Sequence, residues 1–147
     1  MLRSFAQGDP DKQARLALAH AKGMQDEGVA ATAKHFPGGD TIEYRDSHFC
    51  TTKINTTKEQ WWEEQGKIFQ HLIDGGVYSI MISHKAFPAV DNSMVNGRYR
   101  PCTVSKKVIT DLLKNEMGFD GVVITDGIVM AALFSLFDYE TDRKSVV

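Results

Sequence analysis

Apolar and polar residues along the chain alternate between the spacing of helices and the short unbroken runs of buried strands. Asp9-Pro10 predicts the start of a first helix, because aspartate is favoured at the N-cap and proline in the first turn. The apolar positions of this helix are Leu16, Ala17, Ala21 and Met24. Gly28 predicts its end, and residues 29–36 follow as a predicted strand.

The same pattern of helix and strand follows a second time. Thr56 and Glu59 have the spacing of a capping box, which predicts that a second helix begins there. The apolar positions of this helix are Trp61, Ile68, Leu72 and Ile73. Gly75-Gly76 predicts its end, and the apolar, partly β-branched run at residues 77–82 predicts a buried strand.

A third helix is predicted between Ser105, as its N-cap, and Gly118. Its apolar positions are Val108, Ile109, Leu112, Leu113 and Met117. Residues 121–125 predict a third buried strand, and residues 128–137 have helical composition. Three strands separated by helices predict an α/β fold of about three β/α units with parallel strands.

Composition and charge narrow the functional classes. The 147 residues, 42% of them hydrophobic, are enough for one domain with its own core. The net charge is −2 and the basic residues are scattered, so we expect no nucleic-acid partner. No apolar run approaches the roughly 18 residues of a membrane span, and residues 1–10 lack the apolar core of a signal peptide. We therefore expect a cytoplasmic protein without a membrane partner.

The two cysteines, Cys50 and Cys102, do not form a metal-binding cluster in the sequence. We interpret them as free thiols in a reducing compartment, with a disulfide as the alternative. We expect neither a metal ion nor a cofactor.

Titratable residues stand at the end of each predicted strand. Lys34 and His35 end the first strand, His84 follows the second, and Asp126 follows the third. The carboxyl ends of parallel strands meet at one rim of the sheet, where β/α proteins place their chemistry. The sequence therefore predicts a polar site at that rim.

Each of these residues has a chemical and a structural interpretation. Asp126 is either a nucleophile or base aimed at the rim, or a helix N-cap. Asp46 and His48 stand at i and i+2, so an extended loop would place them on one side as a proton-donating dyad. The alternative is a solvated turn. Lys34 and His35 are interpreted as groups that hold a hydroxylated ligand, or Lys34 as a partner in an ion pair.

His84 is interpreted either as a substrate contact or as a packed histidine, and we include it among the predicted substrate-binding residues. A rim carboxylate, an acid/base pair and polar binding groups are together the parts of a retaining glycosidase, which attacks the sugar with one group and protonates the leaving oxygen with another.

Four segments carry a resemblance to a known family. They are RSF (3–5), AKHFPG (33–38), DSH (46–48) and GFDGVVITD (118–126), in that order along the chain. By these segments the chain resembles glycoside hydrolase family 3, and within it the bacterial β-N-acetylhexosaminidases. The resemblance implies that Asp126 is the nucleophile, that His48 is the general acid/base and that Asp46 is its partner. It also implies that Arg3, Lys34 and His35 hold sugar hydroxyls.

The resemblance further implies a fragment of a TIM-type (β/α)8 barrel. Residues 1–147 are then part of a catalytic barrel, and the remainder of the barrel is needed for activity. The last residues do not continue the apolar pattern, so we expect the terminal residues about 138–147 to lie outside the fold. The substrate implied is a carbohydrate with a terminal β-linked sugar. The order Gly39-Asp40-Thr41 and the longer spacer at residues 42–45 depart from the hexosaminidase pattern. This departure leaves β-glucosidase and phosphorylase activities open.

Two functions of other classes stay open at this point. A metal-dependent barrel hydrolase would draw its ligands from the strand ends and the loop after the first strand. Those residues are His35, Asp40, His48, His84 and Asp126. They lack the close spacing of His-x-His that such sites use. The second alternative is a sugar-binding chain without catalysis.

Overall fold

A computed structural model describes residues 8–39, 43 and 45–136. The helices are α1 (Pro10–Asp26), α2 (Lys58–Trp61), α3 (Lys67–Asp74) and α4 (Ala131–Phe134), with π-helical segments at Trp62–Gly66 and Lys107–Glu116 and a 3-10 turn at Cys102–Val104. The strands are β1 (Thr32–Phe36), β2 (Ser79–Ile82), β3 (Met94–Val95), β4 (Arg98–Tyr99) and β5 (Val122–Thr125). The predicted alternation of strands and helices is confirmed.

The sheet that carries the site has three parallel strands in the order β1-β2-β5. Thr32 pairs with Ser79, and Ser79 pairs with Val122, so the carboxyl ends of the strands lie at one rim as predicted. The α/β fold class is thereby confirmed. Among the described residues the sheet is open, and the outer edges of β1 and β5 pair with no further strand.

All three strands begin later than the sequence predicts. The reason is clearest for the first two, because the residues before them close the preceding helix. The Val29 amide donates to the Met24 carbonyl at 3.0 Å, and the Val77 amide donates to the Leu72 carbonyl at 3.0 Å. An amide used to close a helix is not available to a β-ladder.

The first helix begins and ends as the sequence predicts. The Asp9 carboxylate accepts from the Lys12 amide at 2.9 Å, and Pro10 occupies the first turn. Gly28 follows the helix with a φ of 79°, a left-handed conformation that glycine adopts without steric cost.

The capping box of the second helix lies one residue later than predicted. The Thr57 hydroxyl accepts from the Gln60 amide at 3.2 Å, and the Gln60 side chain accepts from the Thr57 amide at 3.0 Å. The prediction of Thr56 and Glu59 was wrong because two threonines stand side by side, each three residues before an acid or amide. Both pairs satisfy the spacing rule, and packing selects between them.

A short hairpin that the sequence reading missed interrupts the third unit. Strands β3 and β4 pair antiparallel around Asn96-Gly97, whose φ angles are 48° and 75°. Two successive positive φ angles make a tight hairpin turn, and Asn-Gly is the strongest short sequence signal for it. The hairpin lies between β2 and the helix Lys107–Glu116.

The end of β1 rests on an aromatic cluster. Phe36, which is fully buried, meets Phe69 edge-on at 5.0 Å between ring centroids and Trp61 at 6.0 Å. The Trp61 indole donates to the Pro37 carbonyl at 2.7 Å, so the chain is held directly after the strand. The Phe36-Pro37 bond is cis, as the X-Pro sequence suggests, and so is the Lys34-His35 bond.

The structure also describes the two cysteines and the length and polarity of the helices. Both cysteines are free thiols, and Cys102 is buried. Burial raises the pKa of the Cys102 thiol far above its ordinary value. No helix in the described part of the chain is both long and apolar enough to cross a membrane.

Candidate active site

The structure brings together two of the predicted residues from separate strand ends. His35 Nε2 on β1 lies 3.5 Å from Asp126 Oδ2, directly after β5. The Asp126 amide donates to the Ile82 carbonyl at 3.2 Å, so the end of β2 holds the backbone of the carboxylate. About a quarter of the Asp126 side chain is exposed, which leaves one side open to a ligand.

Asp126 is not the N-cap of the helix that follows. Its Oδ1 accepts from the adjacent Gly127 amide at 2.8 Å. The helix α4 begins only at Ala131, and Met130 occupies its cap position. The structural alternative for Asp126 is therefore wrong, because the chain runs through a turn before it becomes helical.

Lys34 lies on the same strand as His35 and is exposed. Together with Gly38 and Gln65, these two residues belong to the lining of a cavity of about 360 Å³. The rest of the cavity is mostly apolar and lies between α1, α3 and β1. The strand end therefore presents two cationic or hydrogen-bonding side chains beside an open space.

Asp46 and His48 form a close pair. His48 Nδ1 lies 2.6 Å from Asp46 Oδ1, and the His48 amide donates to the same oxygen at 2.9 Å. More than half of each side chain is exposed. A carboxylate oxygen only accepts, so the bond places a proton on Nδ1 and leaves Nε2 to exchange a proton with a substrate.

The backbone around this pair is a turn rather than the extended loop we expected. The amides of Phe49 and Cys50 both donate to the Asp46 carbonyl, at 3.0 and 3.2 Å. The expected geometry was wrong, yet the two side chains still meet, because the turn folds His48 back over Asp46.

This turn is attached to the segment that carries Asp126. The amides of Ala131 and Ala132 donate to the carbonyls of His48 and Ser47, each at 3.2 Å. These amides belong to the first turn of α4, whose donors lack partners within the helix. The start of α4, which follows Asp126 closely in the sequence, thus holds the Asp46–His48 turn in place.

His84 does not face the open side of the rim. Its side chain is fully buried, Nδ1 lies 2.6 Å from the Thr103 hydroxyl, and Nε2 lies 2.9 Å from the Gly127 carbonyl. Both ring nitrogens are thus used within the protein. This arrangement corresponds to the packed alternative of the sequence analysis and not to direct contact with a sugar.

Two predicted residues fall on parts of the chain without a structural description. Arg3, expected to hold a sugar hydroxyl, and Asp40, considered as a metal ligand, lie outside the described residues. Within the described ranges, no group of three or more histidine, cysteine or acidic side chains is arranged to hold a metal ion.

A buried carboxylate that the sequence did not indicate, Asp91, joins the segment before the hairpin to Ser105 at the start of the helix Lys107–Glu116. Asp91 accepts from the Ser105 hydroxyl at 2.5 Å and from the Ser93 amide at 3.1 Å. Burial acts to raise the pKa of Asp91, but the hydrogen bonds from Ser105 and Ser93 and the charge of Lys107 hold it below its ordinary value. Ser105 also caps the helix as predicted, since it accepts from the Val108 amide at 3.2 Å.

A second missed pair lies directly before the Asp46–His48 turn. Arg45 donates through Nε to Glu43 at 2.9 Å, and a further contact joins its Nη2 to the same carboxylate. The hydrogen bond from Arg45 lowers the pKa of Glu43 to about 2. The signal for this pair in the sequence is the acid two residues before the arginine.

The comparisons with known proteins place this geometry in a family. Residues 2–146 match the model of the glycosyl hydrolase family 3 N-terminal domain. A β-N-acetylglucosaminidase/β-glucosidase of Cellulomonas fimi is 32% identical over 138 residues, which cover 91% of this chain and 24% of that protein. The chain thus spans about a quarter of the length of this relative.

Solved structures have the same fold. A family 3 β-N-acetylglucosaminidase from Paenibacillus sp. str. FPU-7 aligns with a TM-score of 0.83 at 36% identity, over 92% of this chain and 24% of that one. A β-glucoside phosphorylase aligns with a TM-score of 0.84 at 30% identity, over 94% and 26%. The sequence, the fold and the family model agree, and the chain belongs to glycosyl hydrolase family 3, within its N-terminal, TIM-barrel-type domain.

Proposed function

We propose that the whole protein is a retaining exo-β-glycoside hydrolase, with a terminal β-linked N-acetylhexosamine as its first substrate class. The observation that carries the proposal is the placement of a partly open carboxylate, Asp126, beside His35 and in the same unit as the Asp46–His48 pair. A nucleophile and a separate proton donor are what retaining hydrolysis requires.

In the first step, an Asp126 oxygen bonds to the anomeric carbon as the bond to the leaving oxygen breaks. His48 donates its Nε2 proton to that oxygen, so the aglycone leaves as an alcohol. Asp46 stabilises the positive charge that the imidazole ring carries before this transfer. The product of the step is a glycosyl ester of Asp126.

In the second step, a water molecule replaces the aglycone. His48 takes a proton from the water at Nε2 while the water oxygen bonds to the anomeric carbon. The ester bond to Asp126 breaks, and its carboxylate is restored. Two displacements at one carbon return the sugar with its original anomeric configuration.

Sugar binding is assigned to Lys34 and His35 at the end of β1, and to Arg3 by the family resemblance. The two β1 residues are exposed beside a cavity, which gives hydroxyl groups access to them. We propose that the barrel strands this chain does not span supply the other contacts, since two strand-end residues cover only part of a sugar ring.

A second candidate activity is phosphorolysis. Its support is the structural likeness to a β-glucoside phosphorylase and the histidine at the acid/base position. A neutral imidazole repels an anionic acceptor less than a carboxylate does. In this alternative, phosphate takes the place of water in the second step.

The test compares aryl β-N-acetylglucosaminide with aryl β-glucoside, each with and without inorganic phosphate, for the whole protein and for Asp126→Asn. We expect turnover of the N-acetylglucosaminide without phosphate and its loss in Asp126→Asn. Preference for the glucoside would change the assigned substrate to a β-glucoside. A yield of free sugar that falls while sugar phosphate forms would change the assigned acceptor from water to phosphate. Turnover that survives in Asp126→Asn would overturn the assigned nucleophile.

A further inference from the structure

We propose that His84 is a positioning residue for the nucleophile, acting through the Gly127 backbone rather than by touching the sugar. The proposal rests on the function proposed above, because it assumes that Asp126 attacks the sugar. It assigns to His84 a role different from the substrate contact expected from the sequence.

The hydrogen bonds around the His84 ring fix its orientation. The Gly127 carbonyl only accepts, so its 2.9 Å bond to His84 requires the proton on Nε2. The other nitrogen, Nδ1, lies 2.6 Å from the Thr103 hydroxyl, which in turn lies 3.0 Å from the Ser83 carbonyl. The ring therefore has a fixed orientation between the end of β2 and the turn after Asp126.

The ring bonds to the residue directly after Asp126. Gly127 is the residue whose amide donates to Asp126 Oδ1 at 2.8 Å, and its carbonyl is the group that His84 holds. The Met130 amide donates to the same carbonyl at 3.1 Å, so both acceptor positions of this oxygen are used. Glycine has the freest backbone of all residues, and two donors on its carbonyl restrict that freedom.

The two carboxylate oxygens of Asp126 have different neighbours. Oδ1 is held by the Gly127 amide, and Oδ2 lies 3.5 Å from His35 Nε2. A rotation of the Gly127 backbone would move the amide away from Oδ1 and turn the carboxylate as a whole. An attacking oxygen displaced by about 1 Å loses on the order of 100-fold in rate.

The His84 side chain has no access to the ligand side of the rim. The side chain is fully buried although the β1 and β5 rim beside it is open. A residue that contacted sugar directly would retain an exposed nitrogen, whereas both nitrogens of His84 have protein partners.

The test measures the glycosylation step in the whole protein. His84→Leu removes both hydrogen bonds, His84→Gln restores an amide donor, and Thr103→Val removes only the hydroxyl. The matched controls are His71→Leu, at an exposed histidine on α3, and Thr110→Val, on the helix Lys107–Glu116. Rates are measured with an activated aryl glycoside, which needs no acid, and are divided by the titrated concentration of active sites.

We expect His84→Leu to lower the glycosylation rate constant by about 10- to 100-fold, with the KM for substrate little changed. His84→Gln should recover part of the loss, Thr103→Val should lose less than His84→Leu, and both controls should match the wild type. If His84→Leu does not fold, the glutamine and valine variants carry the same test, and the proposal predicts a reduced rate constant in Thr103→Val.

Three results would overturn the proposal. Wild-type rate constants per active site, with only a lower melting temperature, would make His84 structural. Weaker binding of a ground-state sugar ligand with an unchanged rate constant would make it a substrate contact. If no variant recovers the glycosylation rate constant, and the control variants lose as much of it, the loss is a general effect of substitution. An inactive wild type contradicts the proposed function and is distinguishable from all three.

Discussion

The two halves of the candidate site are built in different ways. Asp126 follows a strand, its amide bonds to the neighbouring strand, and its carboxylate has one neighbour on each oxygen. His48 lies on a turn with more than half of its side chain exposed, and the adjacent Phe49 is 82% exposed. The Asp126 side is held by the sheet, whereas the Asp46–His48 side is held by backbone bonds to the first turn of α4.

This difference follows the demands of the proposed chemistry. A nucleophile must meet one carbon from one direction, so a rigid mount is favourable. The acid/base group exchanges a proton with two different oxygens, of the leaving group and then of water, and a surface turn allows it to adjust between them. Substitutions on the two sides should therefore fail in different ways.

The largest expected effect on the turn side is that of His48→Ala. General acid catalysis contributes about 100- to 10,000-fold, and we expect a loss of this size on substrates with poor leaving groups. Activated aryl glycosides, whose leaving oxygen needs no proton, should lose far less in the first step. The measurement is kcat/KM across a series of leaving groups, where the variant should show a much steeper dependence.

Phe49→Ala is the matched control for this prediction, because Phe49 lies on the same exposed turn without a proton to give. It should keep the wild-type dependence on leaving group. An equal loss across the whole series for His48→Ala would contradict the acid/base role.

A smaller loss is expected on the strand side from His35→Ala. This change removes the polar neighbour of Asp126 Oδ2 and a proposed sugar contact. A hydrogen bond to a sugar hydroxyl contributes about 0.5–1.5 kcal/mol, so kcat/KM should fall by about 2- to 10-fold, with little dependence on leaving group. His71→Ala, at an exposed helical histidine, should be neutral; a leaving-group-dependent loss in His35→Ala would remove the contrast between the two sides.

The smallest effect on catalysis is expected from Asp91→Asn, which tests stability instead. The variant loses charge-assisted bonds to Ser105 and Ser93, and we expect about 1–3 kcal/mol lower free energy of unfolding at neutral pH. Turnover per folded molecule should change little, since Asp91 lies in the loop between β2 and the helix Lys107–Glu116. Unfolding by denaturant, measured together with activity, separates the loss of stability from any loss of turnover.

The sign of the pH dependence follows from the lowered pKa of Asp91. A carboxyl group whose pKa is lower in the folded state contributes stability above its unfolded pKa, about 3.9, and loses it as pH falls through the folded value. The gap between wild type and Asp91→Asn should therefore shrink below about pH 4. Asp111→Asn, an exposed carboxyl on the same helix as Lys107, is the control. A gap that stays constant to low pH would show that the effect is not electrostatic.

The sequence predicted the elements and the rim because both depend on local rules. Helix caps at Asp9 and Ser105, the glycine after α1 and the apolar strand runs are readable within a few residues. The meeting of His35 and Asp126 at the rim was expected from the parallel order of the strands. Features that depend on a few neighbouring residues can therefore be predicted from one sequence.

The errors came from choices that tertiary packing makes. Two threonines fitted one capping rule, and the structure selected Thr57. The burial of His84 depends on Thr103 and Gly127, which are distant in sequence, and no periodicity indicates such a contact. The hairpin at Asn96-Gly97 was different, because its signal was present and was not used.

The pairing of the parallel strands also bears on how the chain is made. Thr32 on β1 bonds to Ser79 on β2, and the two are separated by 47 residues. During synthesis from the N-terminus, β1 therefore leaves the ribosome before β2, its pairing partner, has been synthesised. A similar interval then separates β2 from β5. At about 5–20 residues per second this interval lasts several seconds. Over that time the backbone groups of β1 have no strand partner, and an unpaired strand edge can pair with other nascent chains, so we expect slower folding and a need for protection during synthesis.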